Sequence, residues 1–313
     1  MKRISRFGAL AAITVAMLFA LGCGGSSSSN NSVLIVVPDY GADRVASFLD
    51  MNGTGWSTLG TEGAGIGQFS GPYKVFVDPQ GRIYVTDYDN FRIVRMDDAD
   101  GTGWVSYTTP DSPRELAFDD LGRIYFSIAG GTISRMDDMS GTNLVTFGTL
   151  GSGSGQLNQP TGITFDSTDR IYICDSNNDR IVRINDMTGS GFTTFGTSGS
   201  GTNQFQFPSS IVRTSGGKFI ISDYDNNRLV MIDDITGSGW QTIGSAGSGT
   251  GQFDGPDGLT LDENGRLYVM DNNNDRLVRL TGFSLAQWTE FGSSGTGVNE
   301  FSDAYGIALV PIN

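Results

Sequence analysis

A short segment, Arg82-Ile83-Tyr84-Val85-Thr86-Asp87, recurs along the chain, and the fold of the protein is predicted from this repeat. Related copies occupy Arg123 to Ile128, Arg170 to Asp175, Lys218 to Asp223 and Arg266 to Asp271, and a degenerate first copy ends at Asp39. The last positions of successive copies are 48, 41, 47, 48 and 48 residues apart. The chain is therefore an array of six similar units.

Each unit predicts four β-strands. In the fourth copy they run Thr161 to Phe165, Arg170 to Cys174, Arg180 to Ile184 and Phe192 to Phe195. Apolar residues alternate within these runs, Gly, Asn and Asp separate them, and no segment has helical periodicity. Periods of 40 to 50 residues with several strands each are typical of propellers. The sequence thus predicts an all-β fold, a six-bladed β-propeller of four-stranded antiparallel blades.

The two ends of the repeat array predict how the ring closes. The array begins with a second strand, Val33 to Pro38, and finishes with Tyr305 to Leu309, which matches a first strand. We therefore expect the C-terminal strand to join the N-terminal blade, which leaves the sheet without free edges.

The N-terminal segment has the features of an export signal. Lys2, Arg3 and Arg6 precede an apolar run from Phe7 to Leu21, and a charged start followed by a short apolar stretch is typical of secretory signals. An uncleaved transmembrane anchor is the alternative, but about fifteen apolar residues are short for a bilayer. Ordinary secretion is a second alternative.

The end of this segment resembles the lipobox of bacterial lipoproteins, in which a Cys is acylated and becomes the mature N-terminus. Ala20-Leu21-Gly22-Cys23 carries the resemblance, with Ala20 where Leu is usual. It implies a signal peptide over 1–22, lipidation of Cys23, and location at the bacterial cell envelope, on the outer membrane or cell surface. Residues 23–32 predict a flexible Gly/Ser/Asn tether, and residues 33–313 the propeller. The membrane is then reached only through the lipid.

Composition removes several classes of function. The chain has 313 residues, 45 Gly, 2 Cys and no His, and the absence of His excludes mechanisms that depend on Ser-His, Cys-His or His-bound metal. Its net charge of −14 becomes nearer −17 once the three basic residues of the signal are removed, so nucleic acid is not an expected partner. Cys174, the remaining thiol, predicts a small buried apolar residue.

The repeats resemble the NHL family of propellers over residues 33–313. The pattern is carried by Gly251-Gln252-Phe253, Pro256 to Leu259, Gly265 to Val269, Asp271, Asn274 and Arg276 to Val278. The third copy departs from it, with Ile128 to Thr132 replacing the usual Asp-x-x-Asn-x-Arg turn. The resemblance implies a scaffold or sensor that binds through its loop-rich face. Similar streptogramin lyases use His residues that are absent here.

Most basic residues recur at fixed positions of the unit, which predicts a role in the framework, pairing with repeated Asp residues. Fourteen of them fall into three such sets: Arg82, Arg123, Arg170, Lys218 and Arg266; Arg44, Arg92, Arg180, Arg228 and Arg276; Arg95, Arg135, Arg183 and Arg279. Lys74, Arg114 and Arg213 break the pattern. The four Trp residues also share one position, which favours strand packing over a sugar-binding platform.

The residues that break the internal symmetry predict a ligand-binding site. Inner strands surround the channel of a propeller, and the two positions that follow the aligned Pro, or its equivalent in the last copy, are mostly small. The exceptions and their neighbours are Tyr73, Lys74, Arg114, Glu115, Asp257 and Tyr305, with Tyr40, Tyr88, Phe91 and Tyr224 on nearby turns. Arg213 is added because the other units place an apolar residue at its position. Mixed charge beside aromatic rings suits a polar peptide or a small metabolite.

An alternative interpretation is that Lys74, Arg114, Glu115 and Asp257 form a salt-bridge cluster that plugs the channel. No catalytic residue and no cofactor are predicted. We expect a non-enzymatic module for an envelope protein, a peptide or a small polar ligand. The alternative function is a calcium-dependent lactonase without His, resembling gluconolactonase propellers, for which Glu115 and Asp257 are the weak metal candidates.

Overall fold

Short strands of alternating apolar residues build six four-stranded antiparallel sheets around a central channel. The computed structural model describes residues 33–312. The predicted signal peptide, Cys23 and the 23–32 tether lie outside the described residues. We number the sheets as blades 1 to 6 in chain order.

Each blade runs from an inner strand at the channel to a short outer strand. Blade 2 contains β4 (Pro72–Val77), β5 (Ile83–Asp87), β6 (Arg92–Met96) and β7 (Val105–Thr108), and blade 3 contains β8 (Pro113–Phe118), β9 (Ile124–Ile128), β10 (Thr132–Met136) and β11 (Val145–Phe147). Blade 4 contains β12 (Pro160–Phe165), β13 (Ile171–Asp175), β14 (Arg180–Ile184) and β15 (Thr193–Phe195). A parallel pair, β16 (Thr197–Ser198) and β17 (Gln204–Phe205), lies in the loop that follows.

The last two complete blades follow the same order. Blade 5 contains β18 (Pro208–Arg213), β19 (Phe219–Asp223), β20 (Arg228–Ile232) and β21 (Gln241–Ile243). Blade 6 contains β22 (Pro256–Leu261), β23 (Arg266–Asp271), β24 (Arg276–Thr281) and β25 (Thr289–Phe291). The 3₁₀ turns of the described chain are Tyr40–Ala42, Ser176–Asn178, Asn272–Asn274 and Leu285–Gln287. No helix within residues 33–312 has the length and apolarity of a membrane span.

Blade 1 is assembled from both ends of the described chain. Its strands are β26 (Ala308–Pro311), β1 (Val33–Asp39), β2 (Arg44–Phe48) and β3 (Ser57–Leu59). β26 pairs antiparallel with β1, with Val33 opposite Pro311 and Val36 opposite Ala308. The predicted ring closure is confirmed. The closing strand begins at Ala308 rather than at Tyr305. Residues 305–307 precede the strand and are not paired in a sheet.

Buried apolar residues form six clusters, one between each pair of neighbouring blades. Val36 and Val45 of blade 1 pack with Val75 and Val85 of blade 2, for example, and the other five interfaces are built alike. Cys174 belongs to one of these clusters as a free, fully buried thiol, as predicted. Burial raises its pKa well above the ordinary value.

In five of the six blades, an Asp–Arg clamp holds a hairpin to the loop that precedes the inner strand of its blade. In five blades a fully buried Asp accepts a hydrogen bond from an Arg Nε at 2.6–2.8 Å; the pairs are Asp39–Arg44, Asp87–Arg92, Asp175–Arg180, Asp223–Arg228 and Asp271–Arg276. The same guanidinium reaches loop carbonyls, such as Gln204 O from Arg228 at 2.9 Å. Blade 3 lacks the clamp because Ile128 stands at the Asp position.

The other framework predictions are confirmed in part. Arg82, Arg123, Arg170 and Arg266 pair with an Asp four residues earlier, and Lys218 pairs with Asp233. In the third set, by contrast, Arg183 and Arg279 donate to Thr hydroxyls. Each Trp packs against a Phe of its own unit's loop or strand and a clamp Arg, with centroid distances of 5.4–5.8 Å to the Arg. The prediction that the Trp residues pack the outer strands is therefore confirmed.

Candidate ligand site at the channel mouth

The starts of the inner strands define one end of the channel, which we call the mouth. In β4 the pairing register shifts between Pro72 and Lys74, and a comparable shift follows Pro113 in β8. Such irregularities re-aim side chains. The consecutive residues Tyr73 and Lys74 both turn towards the channel as a result, where Tyr73 lines a cavity and Lys74 contacts Asp257.

A cavity of about 340 Å³ opens at the mouth, and we call it the mouth cavity. It is lined by Tyr40, Tyr73, Tyr88, Arg114, Phe207, Tyr224, Asp257 and Tyr305. These residues come from blades 1, 2, 3, 5 and 6; the equivalent position of blade 4 carries Thr161, which is small. The structure thus brings together most of the residues that break the internal symmetry of the sequence.

An ion-pair cluster closes the channel beneath this cavity. Lys74 Nζ lies 2.7 Å from Asp257 Oδ1 and 3.5 Å from Glu115 Oε2. All three side chains are buried, the most exposed being Glu115 at 8%. Asp257 lines the mouth cavity, whereas Glu115 lines a second cavity of about 640 Å³ at the other end of the channel. The plug interpretation therefore describes these three residues.

The electrostatics of the cluster follow from its burial. Burial raises the pKa of Glu115 to about 7, because the Lys74 ammonium only partly offsets the cost of a buried carboxylate and Asp257 adds repulsion. Burial by itself lowers the pKa of Lys74, but the two carboxylates outweigh it and the pKa is raised. Lys74 is thus held charged, while Glu115 titrates near neutral pH.

Arg114 stands apart from the cluster. Within residues 33–312 its side chain forms no ion pair with a carboxylate, and its one side-chain hydrogen bond there runs from Nη2 to Tyr88 Oη at 3.3 Å. The guanidinium carbon lies 5.8 Å from the Tyr73 ring centroid and 5.5 Å from that of Tyr88. Arg114 is only 9% exposed, and its Nε has no acceptor. The plug interpretation therefore does not extend to Arg114.

Hydroxyl groups on the second strands hold the mouth residues in place. Ser222 Oγ donates to the carbonyl oxygen of Asp257 at 2.5 Å, and Thr86 Oγ1 donates to that of Arg114 at 3.1 Å. Thr86 also accepts the backbone N–H of Lys74 at 2.9 Å. The first two bonds join adjacent blades and the third joins two strands of blade 2, so the backbone that carries the charged side chains is held by its neighbours.

Four of the five cavity tyrosines, Tyr40, Tyr73, Tyr88 and Tyr305, form a continuous ring cluster on the wall. Tyr305 packs against Tyr73 with centroids 4.7 Å apart and against Tyr40 at 5.7 Å. Burial and Asp89 raise the pKa of Tyr40 to about 12, and burial and Asp257 raise that of Tyr73 well above its ordinary value. These phenols therefore stay neutral at physiological pH and remain O–H donors.

Lys74 and Glu115 lie in the ion-pair cluster rather than on the wall of the mouth cavity, and two further predicted residues belong to neither. Arg213 is the last residue of β18, whereas the mouth residues stand near strand starts, so five residues of rise place it roughly 16 Å along the channel. It lines the second cavity instead, where its Nε has no acceptor. Phe91 is 48% exposed on its turn and is absent from the cavity wall.

Phe207 is the lining residue that the sequence reasoning missed. It precedes Pro208, and its backbone is left-handed with a φ of 53°. Other units place Gly71, Ser112, Gln159, Gly255 and Asp303 at this position. Phe207 is the one aromatic residue at this position, so it breaks the symmetry of the units as Lys74 does, one residue before the aligned Pro.

The carboxylates of the mouth do not fit the predicted alternative of a calcium site. Calcium takes six to eight oxygen ligands, and the two candidate carboxylates are joined through the Lys74 ammonium instead. Within residues 33–312 no group of three or more Asp, Glu, His or Cys side chains is arranged to hold a metal ion.

Comparison with known proteins defines the class. The NHL repeat model matches residues 69–96 and 157–184, which span the first three strands of blades 2 and 4. These matches identify NHL repeats in blades 2 and 4 of the six-bladed propeller. The comparison with curated proteins found no match.

Similar solved structures share the fold. A protein of unknown function from Bacteroides caccae is 12% identical, with a TM-score of 0.65 over 89% of this chain and 99% of its own. A chain of a nidogen/laminin complex is 14% identical, with a TM-score of 0.67 over 89% and 98%. Virginiamycin B lyase from Staphylococcus aureus is 15% identical, with a TM-score of 0.56 over 84% and 85%. At these identities the likeness concerns the fold alone.

Proposed function

We propose that this propeller is a non-enzymatic binding protein that holds a small polar ligand in the mouth cavity. One observation carries the proposal: a cavity of about 340 Å³ combines an aromatic wall with a buried guanidinium that has no carboxylate partner in the described chain. Small-molecule sites are concave, mostly apolar and equipped with a few placed polar groups, and they start at about this volume.

The arrangement of the channel supports binding rather than passage. Lys74, Asp257 and Glu115 close the channel below the cavity, so a ligand that enters from the mouth meets a floor. The cavity wall comes from five blades, and hydroxyls on the second strands of blades 2 and 5 bond the inner strand of the next blade at Arg114 and Asp257. A rigid wall of this kind lowers the entropy lost on binding, since little of it has to be ordered.

The polar groups at the channel within residues 33–312 do not form a catalytic set, which supports the same proposal. The sequence has no His, the buried tyrosines are neutral, and Asp257 is engaged by Lys74. Glu115 titrates near neutral pH but lies on the other side of the ion-pair cluster. We further propose that lipidation at Cys23 displays the protein on the bacterial envelope, where the ligand is a solute or a short peptide end.

Extraction of bound molecules tests the proposal. The full chain is purified from its native host, washed and denatured, and the released small molecules are compared by mass spectrometry with those from Tyr305→Ala and Arg213→Gln. A molecule that is retained by the wild type and by Arg213→Gln, and depleted in Tyr305→Ala, supports the proposal. Equal recovery from all three proteins, or recovery of a protein partner that is insensitive to Tyr305→Ala, contradicts it.

A further inference from the structure

The charge state of the mouth cavity identifies the chemical class of its ligand. Arg114 is the cavity-lining cation, and it is more than nine-tenths buried. An arginine removed from water normally recovers its hydrogen bonds from a carboxylate or from carbonyl groups. The clamp arginines do so: Arg92 has Asp87 and three loop carbonyls as acceptors.

Arg114 lacks such acceptors. A guanidinium has five N–H donors, and within the described chain one of them reaches a phenol oxygen, Tyr88 Oη, at 3.3 Å. The carboxylate that lines the cavity, that of Asp257, is already bonded to Lys74 through Oδ1 and lies 3.5 Å from Tyr73 Oη through Oδ2. The positive charge of Arg114 is therefore not neutralised by the protein.

The surroundings of Arg114 keep it in place without satisfying it. The rings of Tyr73 and Tyr88 contact the guanidinium, and such cation–π contacts stabilise a cation while leaving its N–H donors free. A planar guanidinium held between rings is a fork that fits two oxygens of one carboxylate. The remaining wall is aromatic, with Tyr40, Phe207 and Tyr305, and suits a flat apolar body.

We propose that the ligand is a small carboxylate attached to a flat ring, with its carboxylate paired to Arg114 and its ring against the tyrosines. This inference rests on the proposed function and names the ligand class of the same cavity. The protein as a whole is strongly acidic, so distant charges repel such a ligand. At physiological salt that repulsion is screened beyond about 8 Å. The guanidinium of Arg114 therefore determines which ligand charge the cavity prefers.

Three probes that share a phenyl ring and differ in charge test the inference: benzoate is an anion, benzamide is neutral and benzamidine is a cation. Each is titrated into the full chain at pH 7.5 and 150 mM salt, with binding followed by calorimetry and by tyrosine-selective NMR. We expect benzoate to bind at least about tenfold more tightly than either of the others, as one charge-assisted bidentate pair implies.

Variants of Arg114 assign the preference to this residue. Arg114→Gln is expected to lower benzoate affinity about tenfold and benzamide affinity by less, which removes the preference between them, and Arg114→Lys to fall between, because lysine keeps the charge but loses the fork. Arg213→Gln is the matched control at the other end of the channel. Thermal melting confirms that each variant is folded, and the wild-type comparison of the three probes does not depend on any variant.

Several results overturn the inference. They are equal affinity for benzoate and benzamide, tighter binding of benzamidine, no benzoate binding at millimolar concentration, or an unchanged preference in Arg114→Gln. Failure of the proposed function looks different: there the extraction experiment yields no molecule that depends on Tyr305. Benzamide binding that is lost in Tyr305→Ala keeps the proposed function and removes the carboxylate assignment.

Discussion

Lys74 Nζ lies 2.7 Å from Asp257 Oδ1, which joins blade 2 to blade 6 across the channel, although 183 positions separate the two residues in the chain. Both side chains are at most 3% exposed. Glu115 approaches the same ammonium from blade 3. One cation thus compensates carboxylates from two other blades, and the stability of the channel depends on it.

Replacement of Lys74 by Met is expected to lower the free energy of unfolding by about 3–5 kcal/mol, because it leaves buried carboxylates without a cation. Urea denaturation followed by circular dichroism measures the change. Lys218→Met is the control, since Lys218 and Asp233 form an exposed pair of the kind that contributes about 1 kcal/mol or less. Equal losses in the two variants contradict the buried role of Lys74.

Glu115 predicts a pH dependence of stability. Its pKa is raised to about 7 in the folded protein from an ordinary value of 4.5, so the folded state binds the proton more tightly than the unfolded state. The stabilisation is fully present below the unfolded pKa and is lost as the pH rises through the folded pKa. The loss approaches about 3 kcal/mol for a shift of this size.

Glu115→Gln isolates this contribution, because it removes the titrating group and keeps the shape. We expect the wild type to lose stability relative to Glu115→Gln between pH 5 and 8, in urea titrations at each pH. Other buried carboxylates, such as Asp223, titrate in both proteins and cancel in the difference. A difference that does not vary with pH contradicts the raised pKa.

The Asp–Arg clamp predicts which carboxylate of the turn contributes to the stability of the fold. Asp223 is fully buried and accepts hydrogen bonds from Gln206, Asn226 and Arg228, so Asp223→Ala is expected to cost about 3 kcal/mol or more. Asp225 lies two residues later on the same turn and is exposed. Asp225→Ala is expected to stay within about 0.5 kcal/mol. Thermal melts that rank these variants in the opposite order contradict the clamp.

Gly162 predicts a steric limit at the channel wall. A Cβ at this position lies 2.9 Å from Ser210 Cα and Ile211 N of the neighbouring inner strand, and backbone cannot yield as a flexible side chain does. Gly162→Ala is expected to cost about 1–3 kcal/mol. Gly216→Ala, where the nearest atom is 3.8 Å away, is the control for the added methyl group and is expected to be nearly neutral.

The N-terminal cysteine predicts membrane attachment. Cys23→Ala is expected to move the protein from the membrane to the soluble fraction, since diacylation is lost and a lipid anchor of two chains holds a protein stably. Cys174→Ala is the thiol control and is expected to alter stability rather than location, because Cys174 is buried. Fractionation and labelling with a radioactive fatty acid provide the measurements. Membrane recovery of Cys23→Ala contradicts the lipoprotein assignment.

Comparison of positions within the repeats predicted much of the candidate site. Lys74, Arg114 and Asp257 were found because they differ from the residues of the other units, and the structure places them together. Arg213 was found by the same signal and lies at the opposite end of the channel. A residue that differs from its equivalents in the other units identifies a position along the strand. Whether that position lies at the start or the end of the strand determines which end of the channel it reaches.

The sequence by itself determined the number of blades, the closure of the ring and the framework, because these depend on periodic patterns that each unit carries within about 48 residues. Only the tertiary structure decided how the exceptional residues pair. Lys74 and Arg114 are both basic residues at the mouth, yet one is neutralised by Asp257 and the other has no carboxylate partner in the described chain. Charge pairing depends on distances of a few ångströms between side chains from different blades, and no spacing along the chain encodes those distances.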